Sequence, residues 1–385
     1  MKKGFYALAM GGLAIGMAEF TMMGILPDIS EDMQRDIPTT AHLISLYALG
    51  VVVGAPSLVL IASRQPPRKV LMWLMFIFFL FHGAFALAPS FASMSVTRFL
   101  SGLPHGAFFG VGTVVAAKMA EKGKEARSIA IMFAGMTVAN LVGVPAGTYI
   151  GHHFSWRLTY GIISVIGLLA MVMLYLWLPA FPGDPSNRVG NQLRYFKSQE
   201  AWYLIALVSV GTGGLFAWLS YIAPLVREVS GLPAGRIPLI MTLVGLGMFF
   251  GNFIGGKLAD SVSPSKAVMT SFGGMAICLL LVYFTSSVTW AAYPMAFVTG
   301  MVSFTIGAPV QMLLIRTAKG AETLAAAGGQ ASFNLGNTLG AYFGGLPITL
   351  GYAYNTPSLV GVIMATLGVL ITFIFYRQIV LKKYR

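Results

Sequence analysis

Charged residues are scarce in this chain. Asp, Glu, Lys and Arg make up 10% of its 385 residues, and 57% of the residues are hydrophobic. A soluble domain has about 25% charged residues, because a compact chain presents most of its surface to water. This composition excludes a soluble globular protein and indicates that lipid surrounds most of the chain.

Groups that carry enzyme or metal chemistry are also few. The one cysteine, Cys278, lies within an apolar run, so an intramolecular disulfide is excluded and the thiol is interpreted as a core residue. The sequence contains no Walker-type glycine-rich loop, which argues against an ATP-driven pump. His152 and His153 are adjacent but lack further zinc ligands nearby. We therefore predict no metal, no cofactor and no enzymatic activity.

The net charge of +13 does not predict a nucleic-acid partner. The basic residues occur in short clusters between apolar runs rather than along one face. Twenty of the 25 Lys and Arg residues fall at the N-terminus, the C-terminus and every second loop, whereas four fall in the opposite loops. The positive-inside rule then predicts that both termini are cytoplasmic. We expect a multi-pass protein of the bacterial inner membrane.

Twelve segments meet the requirement of about 20 mainly apolar residues for a spanning helix. The first starts with two lysines like a signal peptide, but it is longer, contains Glu19 and lacks a clear cleavage site, so we predict that it is retained. The segments are 5–27, 41–62, 69–88, 92–117, 128–150, 158–179, 201–223, 237–258, 266–285, 290–313, 324–348 and 357–379.

The chain contains an internal repeat. A shift of 197 residues superimposes spans 2–3 on spans 8–9 and span 5 on span 11. It aligns Leu46, Leu49, Gly50, Gly54, Pro67, Lys69, Asn140, Gly143 and Gly147 with Leu243, Leu246, Gly247, Gly251, Pro264, Lys266, Asn337, Gly340 and Gly344. We predict six-helix halves at 1–180 and 201–385, joined by a cytoplasmic linker at 181–200 that is rich in Pro, Gly and Asn. Repeats of this kind are typical of transporters, in which the solute site lies between the halves.

Four motifs carry a family resemblance over essentially the whole chain. They are GGKLADSVSPSKAV between spans 8 and 9, TRFLSGLPHGAFFG in span 4, NLVGVPAGTYIG in span 5 and SFNLGNTLGAYFGG in span 11. With GMAEFTMMGILPDI in span 1, the chain resembles the major facilitator superfamily, and most closely its sugar-efflux and drug:proton antiporter branch. The resemblance implies twelve helices in two six-helix repeats, a monomer, and a small solute and protons as partners.

The resemblance also assigns structural roles. Gly256 would let two helices approach closely, and Asp260 would cap the next helix and meet a basic residue. The first-half copy of this motif departs from the pattern, because Val59 and Ser63 replace the glycine and the aspartate. Gly143, Pro145 and Gly147 belong to the antiporter-type motif, although the proline here follows a valine.

Two charged residues inside spans are the main candidates for proton coupling. Glu19 in span 1 must face a cavity or a partner, and desolvation would let its carboxyl exchange a proton near neutral pH. A structural hydrogen bond, or solvation near the outer interface, is the alternative. Arg98 in span 4 has a role in proton coupling in the resembled family. An arginine that snorkels to the interface is the alternative.

Other polar and aromatic residues are candidates for the solute cavity or for helix packing. His105 lies two turns from Arg98, where it would titrate or form a hydrogen bond with the solute. A packed histidine that donates to a carbonyl is the alternative. For His82 we favour a structural role. Trp218 and Tyr221 would form an aromatic wall against an amphipathic solute, or would be ordinary scattered aromatics. Gln330, Asn334 and Asn337 share one helix face. For Asn140 and Asn337, which the repeat relates, we favour interhelical hydrogen bonding.

The preferred hypothesis is proton-driven export of a sugar-like or amphipathic drug-like solute by alternating access. Glu19 would carry the proton and Arg98 would modulate it. An uptake symporter or facilitator on the same fold is the second hypothesis. A membrane receptor or enzyme is a remote third, because the sequence has a repeat and no catalytic groups.

Overall fold

The structure, a computed structural model, describes residues 2–121, 125–183, 197–317 and 322–381. Within these ranges the chain forms helices, turns and loops and contains no strand. The all-helical fold class predicted from composition is confirmed.

Twelve helical segments follow the predicted order and are labelled α1 to α12. A short helix, Leu26–Asp32, lies between α1 and α2. The segments are α1 (Lys2–Gly24), α2 (Ile37–Ala62), α3 (Pro67–Ala86), α4 (Phe91–Met119), α5 (Glu125–Val138, Ala139–Gly143 and Val144–His153), α6 (Trp156–Trp177), α7 (Gln199–Leu219), α8 (Ile237–Ser261), α9 (Pro264–Thr285), α10 (Ala292–Phe304 and Gly307–Thr317), α11 (Glu322–Thr349) and α12 (Thr356–Phe375).

Eleven of these segments are long and apolar enough to cross a membrane. The segment outside that group is α11, which has 28 residues and carries Gln330, Asn334 and Asn337. At 1.5 Å per residue it is about 42 Å long, which exceeds the hydrocarbon core of a bilayer. Helix α11 is therefore long enough to span a bilayer, but its hydropathy is too low for it to be counted as a span. The count of twelve spans stays a prediction.

The helix ends lie on two faces of the bundle. The distal face, as we call it, carries the connecting segments 25–36, 87–90, 154–155, 220–236, 286–291 and 350–355. The segment 220–236 includes the short helices Ile222–Pro224, Leu225–Val229 and Ala234–Arg236. We call the opposite face, which carries the chain ends, the terminal face. On the distal face, Arg227 Nη1 contacts Glu31 Oε1 at 3.0 Å and His152 Nδ1 contacts Asp28 Oδ1 at 2.9 Å. On the terminal face, Tyr203 donates to Gln378 Oε1 at 2.7 Å. These contacts fix which loops share a face.

Glycines let α2 pack closely on α4, and the same packing recurs between α8 and α10. A Cβ built on each of four glycines would lie 2.1 Å from a carbonyl oxygen of the facing helix. The pairs are Gly50 with Phe99, Gly54 with Leu103, Gly247 with Phe297 and Gly251 with Met301. Gly247 and Gly251 are Gly50 and Gly54 shifted by 197, so the repeat in the sequence has a counterpart in the packing. The division at 181–200 stays a prediction, since residues 184–196 lie outside the described ranges.

Helix α5 changes its hydrogen-bonding pattern in the middle. Residues Ala139–Gly143 form a π-helix, and Pro145 follows within the first turn of Val144–His153. Proline has no backbone N–H and its ring crowds the preceding turn, so the helix widens locally rather than continuing as a regular α-helix. The antiporter-type motif thus produces a bulge at the centre of α5.

Contacts between the helices before residue 180 and those after 199 are concentrated in two pairs. Helix α2 packs along α11, and α5 packs on α8. The α5 contact uses mainly Ala139–His153, the distal part of the helix, and involves Glu125–Val138 much less. Gly245 makes this approach possible, because a Cβ there would lie 2.0 Å from Asn140 O. The two groups of helices are therefore held together most closely towards the distal face.

Asp36 caps α2 at the distal face, and this gives a pH-dependent prediction. Its Oδ1 accepts a hydrogen bond from the Thr39 backbone N–H at 2.6 Å. Hydrogen bonds from the Thr39 side chain and backbone hold the pKa of Asp36 below its usual 3.8. A carboxyl with a lowered folded-state pKa stabilises the fold above its unfolded-state pKa, and this contribution is lost as the pH falls through the folded-state pKa.

We therefore expect Asp36→Ala to lower the free energy of unfolding by about 1 kcal/mol at neutral pH. The difference from wild type should shrink in acid, as measured by thermal unfolding of detergent-solubilised protein. Asp36→Asn, which keeps a capping oxygen, is the control and should retain most of the stability at neutral pH. Equal losses in the two variants would show that the cap does not stabilise α2.

Candidate functional site

Glu19 lies in the last third of α1, five residues before the helix ends at Gly24, and is buried, with 2% of its surface exposed. Its electrostatic neighbours are Arg98 on α4, Tyr47 on α2 and the side-chain amide of Asn337 on α11. Oε1 of the carboxyl has no hydrogen-bond partner among the described residues. Solvation at the interface, one of the alternatives from the sequence, does not fit this burial.

Arg98 is fully buried, so the snorkelling alternative is not supported. Its guanidinium is surrounded by aromatic rings, with Cζ 4.4 Å from the ring centroid of Tyr47 and 5.4 Å from those of Phe85 and Tyr160. Nε donates to Leu43 O at 3.3 Å and Nη1 to Ala18 O at 3.5 Å. Faces of aromatic rings attract cations, and most strongly where water is excluded. We call Tyr47, Phe85 and Tyr160 the aromatic cage.

Glu19 and Arg98 do not form a direct ion pair. The ion pairs within 4.0 Å among the described residues all lie at the distal face. The two buried charged side chains are thus close enough to interact electrostatically but are not in contact. Such an arrangement can shift between a paired and an unpaired state when the carboxyl gains or loses a proton.

Two histidines border the aromatic cage. His105 is fully buried, and its Nδ1 lies 3.2 Å from the Tyr47 hydroxyl. His82 is also fully buried, and its Nδ1 lies 2.9 Å from Phe78 O. The His82 ring lies 6.1 Å from that of Tyr47 and 6.2 Å from that of Tyr160. His82 therefore faces the cage from α3, and the structural role favoured for it from the sequence stays a prediction.

Many polar side-chain atoms in this region are buried without a hydrogen-bond partner among the described residues. They belong to Glu19, Thr21, His82, Arg98, His105, Asn140, Tyr160, Asn334 and Asn337. Most buried polar groups in native proteins are hydrogen-bonded, so a concentration of unpaired ones needs an explanation. A polar ligand or water entering between the helices would satisfy them.

The asparagines differ from one another. Asn334 donates from Nδ2 to Gln330 O at 3.1 Å, within α11. Neither polar atom of Asn337 has a hydrogen-bond partner in the described part of the chain, and Oδ1 of Asn140 has none either. Interhelical hydrogen bonding by Asn140 and Asn337 stays a prediction. The side-chain amide of Asn337 on α11 faces the Glu19 carboxyl on α1, which is the arrangement that such a bond between helices requires.

Trp218 and Tyr221 lie near the distal end of α7 rather than beside Glu19. Both are buried. The Tyr221 hydroxyl donates to Ala341 O at 2.7 Å, which ties the segment that follows α7 to α11. Trp218 lines a small pocket with Ser230 and Ser286. The predicted aromatic wall does not join the cluster around Glu19.

The glycine-motif predictions have mixed outcomes. A Cβ on Gly143 would lie 2.6 Å from Met17 Cγ and one on Gly147 2.9 Å from Thr21 Cγ2, so both allow α5 to pack tightly on α1. The prediction for Gly256 is wrong, because a Cβ there would meet no described atom within 4 Å. The close approach belongs to Gly255, whose Cβ would lie 2.3 Å from Thr305 O. Asp260 belongs to α8, and its side chain lies outside the described residues.

Side chains on the short helix Leu26–Asp32 hold the distal face together. Glu31 meets Arg227 across the two groups of helices. Asp28 meets His152, and Asp32 accepts from Trp156 Nε1 at 2.9 Å. Glu31 is 68% exposed and its pair with Arg227 contributes little energy, but the helix beneath it buries Leu26 and Ile29. Apolar packing therefore supplies most of the stabilisation at this face, and the ion pairs determine which loops lie next to each other.

Sequence reasoning found both charged residues and missed the cage. Tyr47, Phe85 and Tyr160 are aromatic residues on three different spans, and a single sequence does not show that they converge. The signal that could have pointed to these aromatic residues is Arg98 itself, because an arginine buried within the membrane needs partners. Among the described residues, no group of three or more His, Cys, Asp or Glu side chains is arranged to hold a metal ion.

Comparison with known proteins identifies the family. The family model of the Major Facilitator Superfamily matches residues 8–330. The chain belongs to this superfamily, and it is therefore a multi-pass membrane transport protein rather than an enzyme.

The chain is similar to transport and resistance proteins of bacteria. It is 40% identical over 355 residues to the putative transporter AraJ of Escherichia coli (strain K12), covering 92% of this chain and 90% of AraJ. It is 30% identical over 346 residues to the chloramphenicol resistance protein of Streptomyces lividans, covering 87% and 86%. Its fold matches the crystal structure of a D-xylose–proton symporter with a TM-score of 0.76 at 14% identity, covering 96% and 97%.

Proposed function

We propose that this protein is a secondary active exporter in which protons flowing inward drive the extrusion of a small solute by alternating access. One observation carries the proposal. A buried carboxyl, Glu19, lies beside a buried guanidinium without pairing to it, between the helices before residue 180 and those after 199. An ionised carboxylate is costly there and a neutral acid is not, so protonation changes the energy of the site.

In this proposal Glu19 carries the proton and Arg98 stabilises the ionised state of Glu19. Loss of the proton leaves a carboxylate that attracts the guanidinium, which strengthens contact between α1 and α4. Gain of the proton releases that contact and favours the alternative arrangement. A change of protonation is thereby converted into a change of helix packing.

Export is the proposed direction, and the similarity to a chloramphenicol resistance protein supports it. We propose a sugar-like or amphipathic drug-like solute, which would meet the unpaired polar atoms around Glu19. The charge distribution supports an inner-membrane location with both termini cytoplasmic, where the terminal face would be the inner one. We further propose a monomer whose halves, 1–180 and 201–385, rock about the site.

The test uses everted membrane vesicles that contain the protein and hold a preformed pH gradient, acid inside. Chloramphenicol, sugars and cationic dyes are added in turn, and dissipation of the gradient is followed with a pH-sensitive fluorophore. We expect at least one solute to dissipate the gradient in these vesicles and not in vesicles without the protein. Accumulation of that solute by intact cells, driven by the proton gradient, would instead show an uptake symporter.

A further inference from the structure

Aromatic rings and the backbone carbonyls of Leu43 and Ala18, rather than a carboxylate, hold the guanidinium of Arg98. The shortest ring contact is with Tyr47, at 4.4 Å from Cζ to the centroid, and Phe85 and Tyr160 lie at 5.4 Å. Nη2 of Arg98 has no hydrogen-bond partner among the described residues. The guanidinium therefore retains a free donor while it is held by ring faces.

Tyr47 is itself fixed from two directions. Its hydroxyl lies 3.2 Å from His105 Nδ1, one end of a contact between α2 and α4. Its backbone carbonyl is pressed against α4, since a Cβ on Gly102 would lie 2.1 Å from Tyr47 O. Gly102 and His105 lie about one and two turns further along α4 than Arg98, so both hold Tyr47 from the same side of the point where its ring meets the guanidinium. The ring consequently has little freedom to leave the guanidinium.

Tyr47 and Glu19 compete for the same cation. Both lie within electrostatic reach of Arg98, from α2 and α1. We propose that Tyr47 is a positioning residue, whose ring holds Arg98 in the aromatic cage and off the Glu19 carboxyl, and so sets the pH at which Glu19 exchanges its proton. This inference rests on the proposed role of Glu19.

The groups facing this pair can be named element by element. Glu19 on α1 faces Arg98 from α4, Tyr47 from α2 and the uncharged amide of Asn337 from α11. Arg98 and Tyr47 are further bordered by three titratable side chains, which are His82 on α3, His105 on α4 and Tyr160 on α6. Arg98 is the only cation of fixed charge among these groups. Its distance from the carboxyl therefore dominates the electrostatic balance at Glu19.

The test follows the ionisation of Glu19 in purified full-length protein by infrared spectroscopy. The carboxylic-acid C=O band that disappears in Glu19→Gln identifies the residue. We expect Tyr47→Leu, which removes the ring, to move the titration midpoint of this band to lower pH by about one unit, a tenfold change in proton affinity. The freed guanidinium can then approach and favour the carboxylate.

Matched variants separate the ring from the hydroxyl. Tyr47→Phe keeps the ring face and should leave the midpoint near that of wild type, as should Tyr160→Phe. Phe85→Leu removes a more distant ring, and we expect a smaller shift in the same direction. This variant keeps the test decisive if Tyr47→Leu does not yield a monodisperse protein on size-exclusion chromatography.

Several results would overturn the inference. One is a titration midpoint of Glu19 that is unchanged or higher in both Tyr47→Leu and Phe85→Leu. Another is a shift in Tyr47→Phe as large as that in Tyr47→Leu, which would assign the effect to the hydrogen bond between the Tyr47 hydroxyl and His105. The measurement needs no solute, so it stands apart from the vesicle assay. Where transport is measurable, Tyr47→Leu should also move the pH profile of transport to lower pH. A purely structural role would lower the maximal rate without moving the profile.

Discussion

Replacing Glu19 with glutamine is expected to abolish proton-coupled transport while leaving the protein folded. Glutamine has nearly the same shape as a protonated glutamate but cannot release a proton. The variant should therefore resemble the protonated state of the carrier at every pH. In everted vesicles, solute-dependent dissipation of the pH gradient should fall at least tenfold, in line with the usual contribution of a positioned acid–base group.

Exchange of solute for solute supplies a second readout. This exchange needs no net proton movement, so a Glu19→Gln protein should retain it if the solute still binds. Glu121→Gln, the same substitution at an exposed residue after the end of α4, is the matched control and should behave like wild type. Full proton coupling in Glu19→Gln would keep the transporter but reduce Glu19 to a structural residue.

Replacing Gly50 with alanine is expected to destabilise the α2–α4 crossing severely. The new Cβ would lie 2.1 Å from the carbonyl oxygen of Phe99 and 3.2 Å from Gly102 Cα, and both are backbone atoms that cannot rotate away. The helices must separate to make room, which costs about 3 kcal/mol for overpacking of this kind. We expect a lower apparent melting temperature of the detergent-solubilised protein, followed by loss of the monodisperse peak on size-exclusion chromatography.

A second helical glycine offers a control that isolates the effect of contact. A Cβ on Gly161 in α6 would meet no described atom within 4 Å. Gly161→Ala should not lower the free energy of unfolding and should raise it by up to about 1 kcal/mol, because alanine favours a helix interior more than glycine does. If Gly50→Ala were as stable as Gly161→Ala, the two helices would be farther apart than described.

Hydropathy predicted the helices well because the bilayer imposes one length and one solvent on all of them. It failed where local chemistry acts on a smaller scale. The short helix Leu26–Asp32 follows directly after α1, and its mixture of acidic and apolar residues resembles a loop in the sequence. The π-helix in α5 depends on how one proline is accommodated, which periodicity alone does not show.

The site was predictable only in part, for a related reason. Glu19 and Arg98 stand out because a charge in an apolar segment is costly and must have a purpose. Tyr47 and Tyr160 do not stand out, because aromatic residues make up 12% of the chain. Which of them face Arg98 depends on the rotation of each helix about its axis. The exchange of Gly256 for Gly255 is the same error, since one residue corresponds to about 100° of rotation.

The polarity of α11 has a consequence for how the protein is made. Segments enter the bilayer from the translocon according to their own partition free energy, and asparagine, glutamine and glycine make that term poor for α11. During synthesis α11 must therefore be retained by helices that are already inserted, and α2 and α7, against which it packs, are the available partners. A defect in α2 would then affect biogenesis as well as transport, because the last polar helix would lack the surface that draws it into the membrane.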